Sequence, residues 1–369
     1  MLCDNCRDKY VDKIPVTLLT GFLGSGKSTL LTKLLRHPEF SDTAVVVNEF
    51  GEVGLDGILI NHSNEQIVEM SSGCICCTIR GDISQTLRKL HSDLEQHKIP
   101  NFTKLVIETT GLADPAPVIH TLMSDPFLDN RYMLGGVVTM MDSINGKTTL
   151  ESHKECQKQA AVADRLVLTK TDLINDTLSL KGLESLKATL SSINPNAPIL
   201  DPQNPGFVFS SLFDTSLFNP KTKTANVRKW LNYEANNNKN PHLHEHGHHH
   251  NSSQSSHDVT RHSIDIRSFT LTFDKPLEIR ALTTALEVLT FTHGKDLLRM
   301  KGIVDTIERP GVPLVIHGVQ HVFHDPVWLD EWPDENRQTQ LVFITHRIQR
   351  KTLSDFFESW INSSSGNWN

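Results

Sequence analysis

The chain lacks any run of 18 or more apolar residues, so nothing in it reads as a membrane-spanning helix. Its N-terminal stretch, MLCDNCRDKYVDKIP, lacks the basic-then-apolar order of a signal peptide and carries acids that a transit peptide avoids. The expectation is a cytoplasmic protein with no membrane partner. A basic excess is also missing: 36 Lys and Arg face 43 Asp and Glu, a net charge of -7, which weighs against nucleic acid as a partner. Cysteine is scarce, six in 369 residues, too few for a disulfide framework in a chain of this size. What remains is ordinary folded-protein composition, 38% hydrophobic and 21% charged. The length predicts two domains, each able to bury its own core.

The few cysteines are grouped. Cys74, Cys76 and Cys77 fall within the run SGCICC at residues 72–77, Cys3 and Cys6 form a CxxC near the start, and Cys156 stands apart. In a reducing compartment such groups suggest metal binding or thiol chemistry. An extended segment points Cys74 and Cys76 to one face and Cys77 to the other, so a turn at Gly73 is needed to converge all three. Three thiolates, or two with a carboxylate from Glu49 or Glu52, suit a soft or borderline divalent ion. Zn²⁺ is the default, because it accepts sulfur-rich tetrahedral sites without redox chemistry. Buried structural cysteines or a redox pair are the alternatives.

Along the first half, short apolar runs alternate with helical patterns. Strands are predicted at 16–20, 44–47, 104–107, 137–141, 166–169 and 198–200, and helices at 28–36, 82–96 and 151–161. Near-continuous apolar strands separated by helices predict an α/β fold with a mainly parallel sheet covered on both faces. Residues 236–262 are crowded with Asn, Ser and His. Eight of the 19 histidines lie there: His242, His244, His246, His248, His249, His250, His257 and His262. This predicts a flexible linker. Strands at 268–273, 302–304, 314–317 and 341–345 and helices at 276–289 and 352–360 then predict a smaller α+β domain. The expected division is a tail at 1–13, a P-loop NTPase domain at 14–232, the linker at 233–264 and the α+β domain at 265–362.

GFLGSGKS at 21–28 satisfies the P-loop pattern between a strand and a helix. Gly21, Gly24 and Gly26, with Ser25 between them, let the backbone curl until its N–H groups converge on phosphate oxygens. Lys27 supplies a mobile charge to the β- and γ-phosphates, and Ser28 is the expected Mg²⁺ ligand. Ser28 and Thr29 open the helix whose N-terminus adds dipole and donors. In TKTD at 169–172, Asp172 can accept from the ring N–H and exocyclic amine of guanine, and Lys170 can pack its stem across the base. A helix N-cap is the plain alternative for Asp172. VIETTG at 106–111 offers Gly111 as an N–H donor to a γ-phosphate, and Glu108 either to the Mg²⁺ shell or to the attacking water. NEFGEVGLD at 48–56 suits a switch that senses the γ-phosphate, with Glu49 as its first carboxylate.

Taken in order, PVTLLTGFLGSGKSTLL (15–31), VNEFGEVGLD (47–56), SGCICC (72–77), VIETTGLADP (106–115) and DRLVLTKTD (164–172) resemble the CobW-like family of P-loop GTPases. DLLRMKGIV (296–304) and HGVQ (317–320) extend the resemblance into the second domain, so that it covers roughly residues 14–230 and 265–360. It implies slow GTP hydrolysis coupled to delivery of a transition metal to a client metalloprotein. Zinc is expected, with Co²⁺ or Ni²⁺ as further possibilities. It also implies metal binding by Cys74, Cys76 and Cys77, switch roles for Glu49 and Glu52, phosphate and Mg²⁺ roles for Lys27 and Ser28, and base recognition by Lys170 and Asp172. Cys3 and Cys6 form either a second metal handle or part of a plain tail. The histidine tract forms either a weak multi-ion site or an inert linker. Two rival functions remain: a nucleotide-switched interaction protein with structural cysteines, and a metabolic kinase.

Overall fold

The computed structural model describes residues 13–49, 67–71, 79–213, 265–333 and 337–364. Cys3 and Cys6, Glu52, the three clustered cysteines and the histidine tract lie outside these residues. The backbone of Glu49 is described but its side chain is not.

Seven strands form the first sheet: β1 (Ile14–Gly21), β2 (Thr43–Glu49), β3 (Ile67–Ser71), β4 (Lys104–Glu108), β5 (Tyr132–Asp142), β6 (Arg165–Thr169) and β7 (Ile199–Leu200). Their spatial order is β3-β2-β4-β1-β5-β6-β7, and every pairing is parallel. A parallel sheet buries both faces, which is why these strands read as continuous apolar runs rather than alternations. Leu19 packs on one face with Val45, Val106 and Met140 against Leu30, Leu31 and Leu34 of α1 (Lys27–Leu35). Val16 and Leu18 turn to the other face. That side is covered by α2 (Ile79–Glu95), α3 (Ala116–Ser124), α6 (Lys154–Val162) and α7 (Thr177–Ile193). Short helices α4 (Pro126–Asp129) and α5 (Gly146–Ser152) complete the layer. The chain leaves β1 toward β2 on one side and β5 toward β6 on the other, so the strand order reverses beside β1. At such a point a crevice opens beyond the carboxyl ends of the strands.

The helix predicted at 151–161 is two helices. His153 adopts an extended backbone (φ -128°, ψ 116°) between α5 and α6, and its ring packs on Phe22 at 4.5 Å. A tertiary contact thus interrupts a pattern that local propensity would continue.

The second sheet is antiparallel: β8 (Ile266–Phe273), β9 (Leu297–Val304), β10 (Leu314–Val319), β11 (Val322–Phe323), β12 (Val327–Trp328) and β13 (Thr339–His346). Its path is β11-β10-β9-β13-β8, with β12 also on β10. Helices α8 (Ile279–His293) and α9 (Arg350–Ser364) cover one face, around Leu282, Leu286, Met300, Phe343 and Phe357. Leu298, Val319, Val322 and Ile344 join the core of the first domain instead. The two domains therefore share one apolar seam.

Inside that seam lies a charged cluster. Arg299 and Lys301 alternate with Met300 along β9 and face the first domain, as period-two strand geometry requires. The Arg299 guanidinium donates to the Val162 carbonyl and to the Asp164 carboxylate, and Lys301 Nζ lies 3.4 Å from the same carboxylate. Asp164 also accepts from the Val137 N–H at 3.0 Å. Next to these, the rings of His317 and His324 stack 3.6 Å apart. Burial pulls the pKa of both histidines down. For His317 the His324, Arg299 and Lys301 charges add to the effect. For His324, at about 3, Arg299 adds to it while Asp164 and Asp325 oppose.

A pH dependence follows. Both imidazoles are neutral in the folded chain, while the unfolded chain protonates them near pH 6.5. Their stability contribution is full above about pH 6.5 and is lost as pH falls from there toward their lower folded values. Two such groups give a slope of up to about 2.7 kcal/mol per pH unit. Denaturant titrations at pH 7, 6 and 5 should show this loss, and His324→Gln should remove roughly half of it. An unchanged slope in that variant would refute the assignment.

Candidate functional site

The loop from Gly21 to Gly26 owes its curl to three backbone conformations that side chains oppose. Gly21, Gly24 and Gly26 have φ of 141°, 70° and 89°, all in the region reserved in practice for glycine. At Gly21 space is short as well: a Cβ would sit 2.5 Å from the Met140 carbonyl oxygen. Gly26 is also the N-cap of α1, so the first free N–H groups of that helix open onto the loop. Ser25 is buried, and its hydroxyl has no hydrogen-bond partner among the described residues.

Lys27 is 8% exposed. Its ammonium donates to the carbonyls of Gly21 at 2.8 Å and Phe22 at 3.2 Å, folding back over the loop it belongs to. Burial lowers its pKa, and the nearby Glu108 carboxylate opposes that shift. The cation is thus held at a desolvation cost against two backbone carbonyls, with the Glu108 carboxylate nearby.

Ser28 Oγ donates to Glu108 Oε1 at 3.2 Å. Register brings them together: Glu108, the last residue of β4, pairs with Leu19 of β1, so the strand end lies beside the start of α1. Adjacent oxygens in an octahedron with bonds of about 2.1 Å lie about 3 Å apart, so this hydroxyl and carboxylate suit Mg²⁺ chemically and in spacing.

Gly111 lies against the loop itself. A Cβ there would fall 2.6–2.8 Å from Leu23 side-chain and backbone atoms, so only glycine permits this approach. Thr109 Oγ1 donates to Thr20 Oγ1 at 2.8 Å, fastening the strand ends beneath.

On the base side, Lys170 takes a left-handed conformation (φ 59°) and its ammonium pairs with Asp142 at 2.7 Å. Asp172 is exposed and accepts from Gln203 Nε2 at 3.4 Å. The N-cap alternative for Asp172 is excluded, because Asp176 caps α7 by accepting from the N–H groups of Leu178 and Ser179. Thr169, which stands where NKxD has Asn, donates its hydroxyl to the Ser25 carbonyl at 2.8 Å. The base-side loop is therefore tied directly to the phosphate-side loop. Sequence reasoning missed Asp142 and Gln203. A carboxylate at the end of β5 was a readable signal for the first. Nothing local marked the second, which meets Asp172 only through the fold.

The cysteine run begins where β3 ends. Ser71, the last residue of β3, is the register partner of Glu49 at the end of β2, and both strands end on the same carboxyl side of the parallel sheet as β1, which leads into the phosphate loop; residues 72–77 themselves lie outside the described residues. Among the described residues no three His, Cys, Asp or Glu side chains gather as a metal site. Cys156, the described cysteine, is core: it is buried, and burial pushes its thiol up to about 12.

No helix among the described residues is long and apolar enough to cross a membrane. Residues 15–201 match the model of the CobW/HypB/UreG nucleotide-binding domain, and residues 266–361 that of the cobalamin synthesis protein cobW C-terminal domain. The chain is 32% identical over 347 residues to the zinc chaperone YjiA of Escherichia coli, covering 94% of this chain and 98% of that protein. It is 28% identical over 334 residues to the zinc-regulated GTPase metalloprotein activator 1 of Schizosaccharomyces pombe, covering 86% and 77%. The crystal structure of Zn(II)-bound YjiA GTPase from E. coli superposes with a TM-score of 0.65 at 27% identity, over 95% of this chain and 99% of the other.

Proposed function

Because the chain belongs to the CobW/HypB/UreG family, we propose that it is a GTP-dependent metallochaperone that hydrolyses GTP and transfers zinc to a client metalloprotein. One observation carries this reading: β1, which leads into the phosphate loop, β4, which ends at Glu108, β2, which ends at Glu49, and β3, which the cysteine run follows in sequence, all have their carboxyl ends on one side of one parallel sheet. YjiA and the fission-yeast activator, named for zinc and for GTPase activity, support it.

In this reading the backbone N–H groups of 21–29 cradle the α- and β-phosphates, and Lys27 leaves the Gly21 and Phe22 carbonyls for the β/γ-bridge. Ser28 and Glu108 hold Mg²⁺, which neutralises charge on the phosphates. Gly111 turns its N–H to the γ-phosphate. Glu49 orients a water, whose oxygen attacks the γ-phosphorus as the bond to the β-phosphate oxygen breaks, giving GDP and phosphate. Asp172 accepts from the guanine ring N–H and amine, while Lys170, braced by Asp142, packs across the base. Cys74, Cys76 and Cys77, with Glu49 or Glu52, hold the cargo ion. Zinc suits this donor set best, and Co²⁺ or Ni²⁺ can occupy it. The site of action is the cytoplasm.

Asp172→Ala should remove most of the preference for GTP over ATP, roughly a hundredfold or more, because it takes away the one carboxylate that accepts from both the guanine ring N–H and its amine. Competition of both nucleotides against a fluorescent analogue measures it. Equal affinity of the unmodified chain for the two would defeat the base assignment.

Coupling requires reciprocity: if GTP changes zinc affinity, zinc changes GTP affinity by the same factor. Competitive zinc titrations with GDP and with a non-hydrolysable GTP analogue should differ. Equal affinities would remove the coupling. In the same titrations, deletion of 242–250 should lower total zinc capacity but keep one tight equivalent, whereas Cys→Ser at 74, 76 and 77 should abolish that equivalent. Three closely spaced thiolates suit zinc better than neutral imidazoles strung along a polar run.

A further inference from the structure

The segment from Gly111 to Asp114 is held from three sides. At one end Gly111 abuts Leu23 of the phosphate loop. In the middle Gln159 of α6, fully buried, donates its amide to the carbonyls of Gly111 at 3.2 Å and Ala113 at 3.0 Å. At the other end Asp114 caps Ala116 N–H through Oδ1 at 3.0 Å. Its Oδ2 accepts from Lys158 at 3.4 Å and, from the second domain, from Gln320 Nε2 at 3.0 Å.

Gln320 sits in the turn between β10 and β11 with a left-handed backbone, φ 53°. Side chains oppose that conformation, and glycine would adopt it freely. Strain of this kind persists where surrounding contacts over-determine it, and it points to function. Gln320 is nonetheless buried, with its N–H on the Leu298 carbonyl at 3.2 Å. One residue back, Val319 is the register partner of Arg299, which is anchored on Val162 and Asp164 at the end of the same α6 that carries Lys158 and Gln159. The second sheet therefore grips the first domain at two neighbouring points. One is a buried ionic anchor, and the other is a single amide on the segment that begins at Gly111.

We propose that Gln320 is a positioning residue through which the second domain sets the Gly111–Asp114 segment, so that nucleotide state is read into the β10–β11 hairpin. The inference rests on the assignment of Gly111 to the γ-phosphate made above. Moving Gly111 toward a phosphate shifts Asp114, three residues on. The Gln320 contact cannot then be identical in the GTP and GDP states unless the hairpin follows. By linkage, a contact that differs between two nucleotide states contributes to the ratio of their affinities.

The experiment uses the full chain with Gln320→Gly and Gln320→Glu. The glycine variant removes the amide and also relieves the left-handed residue, so it should melt no lower than the unmodified chain. The glutamate variant keeps the length and sets like charge against Asp114. Affinities for GDP and for a non-hydrolysable GTP analogue are measured with Mg²⁺, together with hydrogen exchange of residues 314–324. In the unmodified chain, exchange of the hairpin should differ between the two nucleotides. In both variants that difference should vanish and the affinity ratio should change about fivefold or more. A purely structural role would lower stability and leave the ratio alone. If the unmodified chain bound both nucleotides and both variants kept its ratio within twofold, this inference alone would fall. If it bound neither nucleotide, the phosphate-site reading would fall and take this one with it.

Discussion

Replacing Lys27 with alanine should lower GTP turnover by about 10²–10³-fold, the cost typical of removing one preorganised charge from a developing anion. The structure adds a less common expectation. Lys27 is buried with a depressed pKa and rests on the carbonyls of Gly21 and Phe22, so the nucleotide-free protein bears a desolvation cost that the Glu108 carboxylate offsets only in part. Removing it should therefore leave the melting temperature of the nucleotide-free protein unchanged or slightly raised. Such a trade of stability for activity marks a functional rather than an architectural residue. Zinc stoichiometry should stay the same, because the cysteines lie on a different segment. Single-turnover hydrolysis, calorimetry of the nucleotide-free chain and zinc titration test the three parts. Full hydrolysis in Lys27→Ala would show that the cradle is misassigned.

The other large effect is expected far from the chemistry. Asp164→Ala should destabilise the chain by roughly 3–5 kcal/mol, because it strands the Arg299 guanidinium, and leaves the Lys301 amine without its acceptor, in a seam built around one carboxylate. Arg299 and Lys301 both face Asp164 there, and both have pKa values lowered by burial, Lys301 to about 7. The Val137 N–H would lose its acceptor as well. The loss should be partly non-additive: Lys301→Met in the Asp164→Ala background removes a buried amine that has lost its carboxylate and should recover part of the stability. A double-mutant cycle by chemical denaturation measures that recovery. Since the cluster fastens one domain to the other, Asp164→Ala should also split a single unfolding transition into two. Additive losses with one cooperative transition would mean that the cluster does not hold the seam.

Much of this protein was legible before any coordinates. The P-loop needs glycines at fixed spacing because backbone N–H groups must converge, so Gly21, Gly24 and Gly26 announced themselves, and all three have the positive φ that the reading required. The parallel sheet was legible because strands buried on both faces cannot alternate polar and apolar residues, as β1, β4 and β6 show. Periodicity located β8, β13 and α9 for the same kind of reason, that one face of each must meet a core.

Other features were settled only by tertiary contact. At the break His153 is extended and its ring meets Phe22, far earlier in the chain, a contact that no local pattern encodes. Helix α3 went unread because Pro115 and Pro117 look like breakers, although proline is tolerated in a first turn where no N–H is needed. Asp172 left two readings open until Asp176 was seen to cap α7. Glu108 acquired a partner only when strand register set it against Ser28, 80 residues away in sequence.

The sequence by itself determined the local chemistry: which residues can curl around a phosphate, which carboxylates end strands, and which thiols stand close enough to share an ion. These are properties of short segments, fixed by spacing and backbone freedom. Only the tertiary structure decided what those segments face. It placed Gln320 on Asp114 and enclosed Asp164 between Arg299 and Lys301. Contacts between domains depend on how two separately formed surfaces pack, and a residue's neighbours in sequence carry no record of that packing.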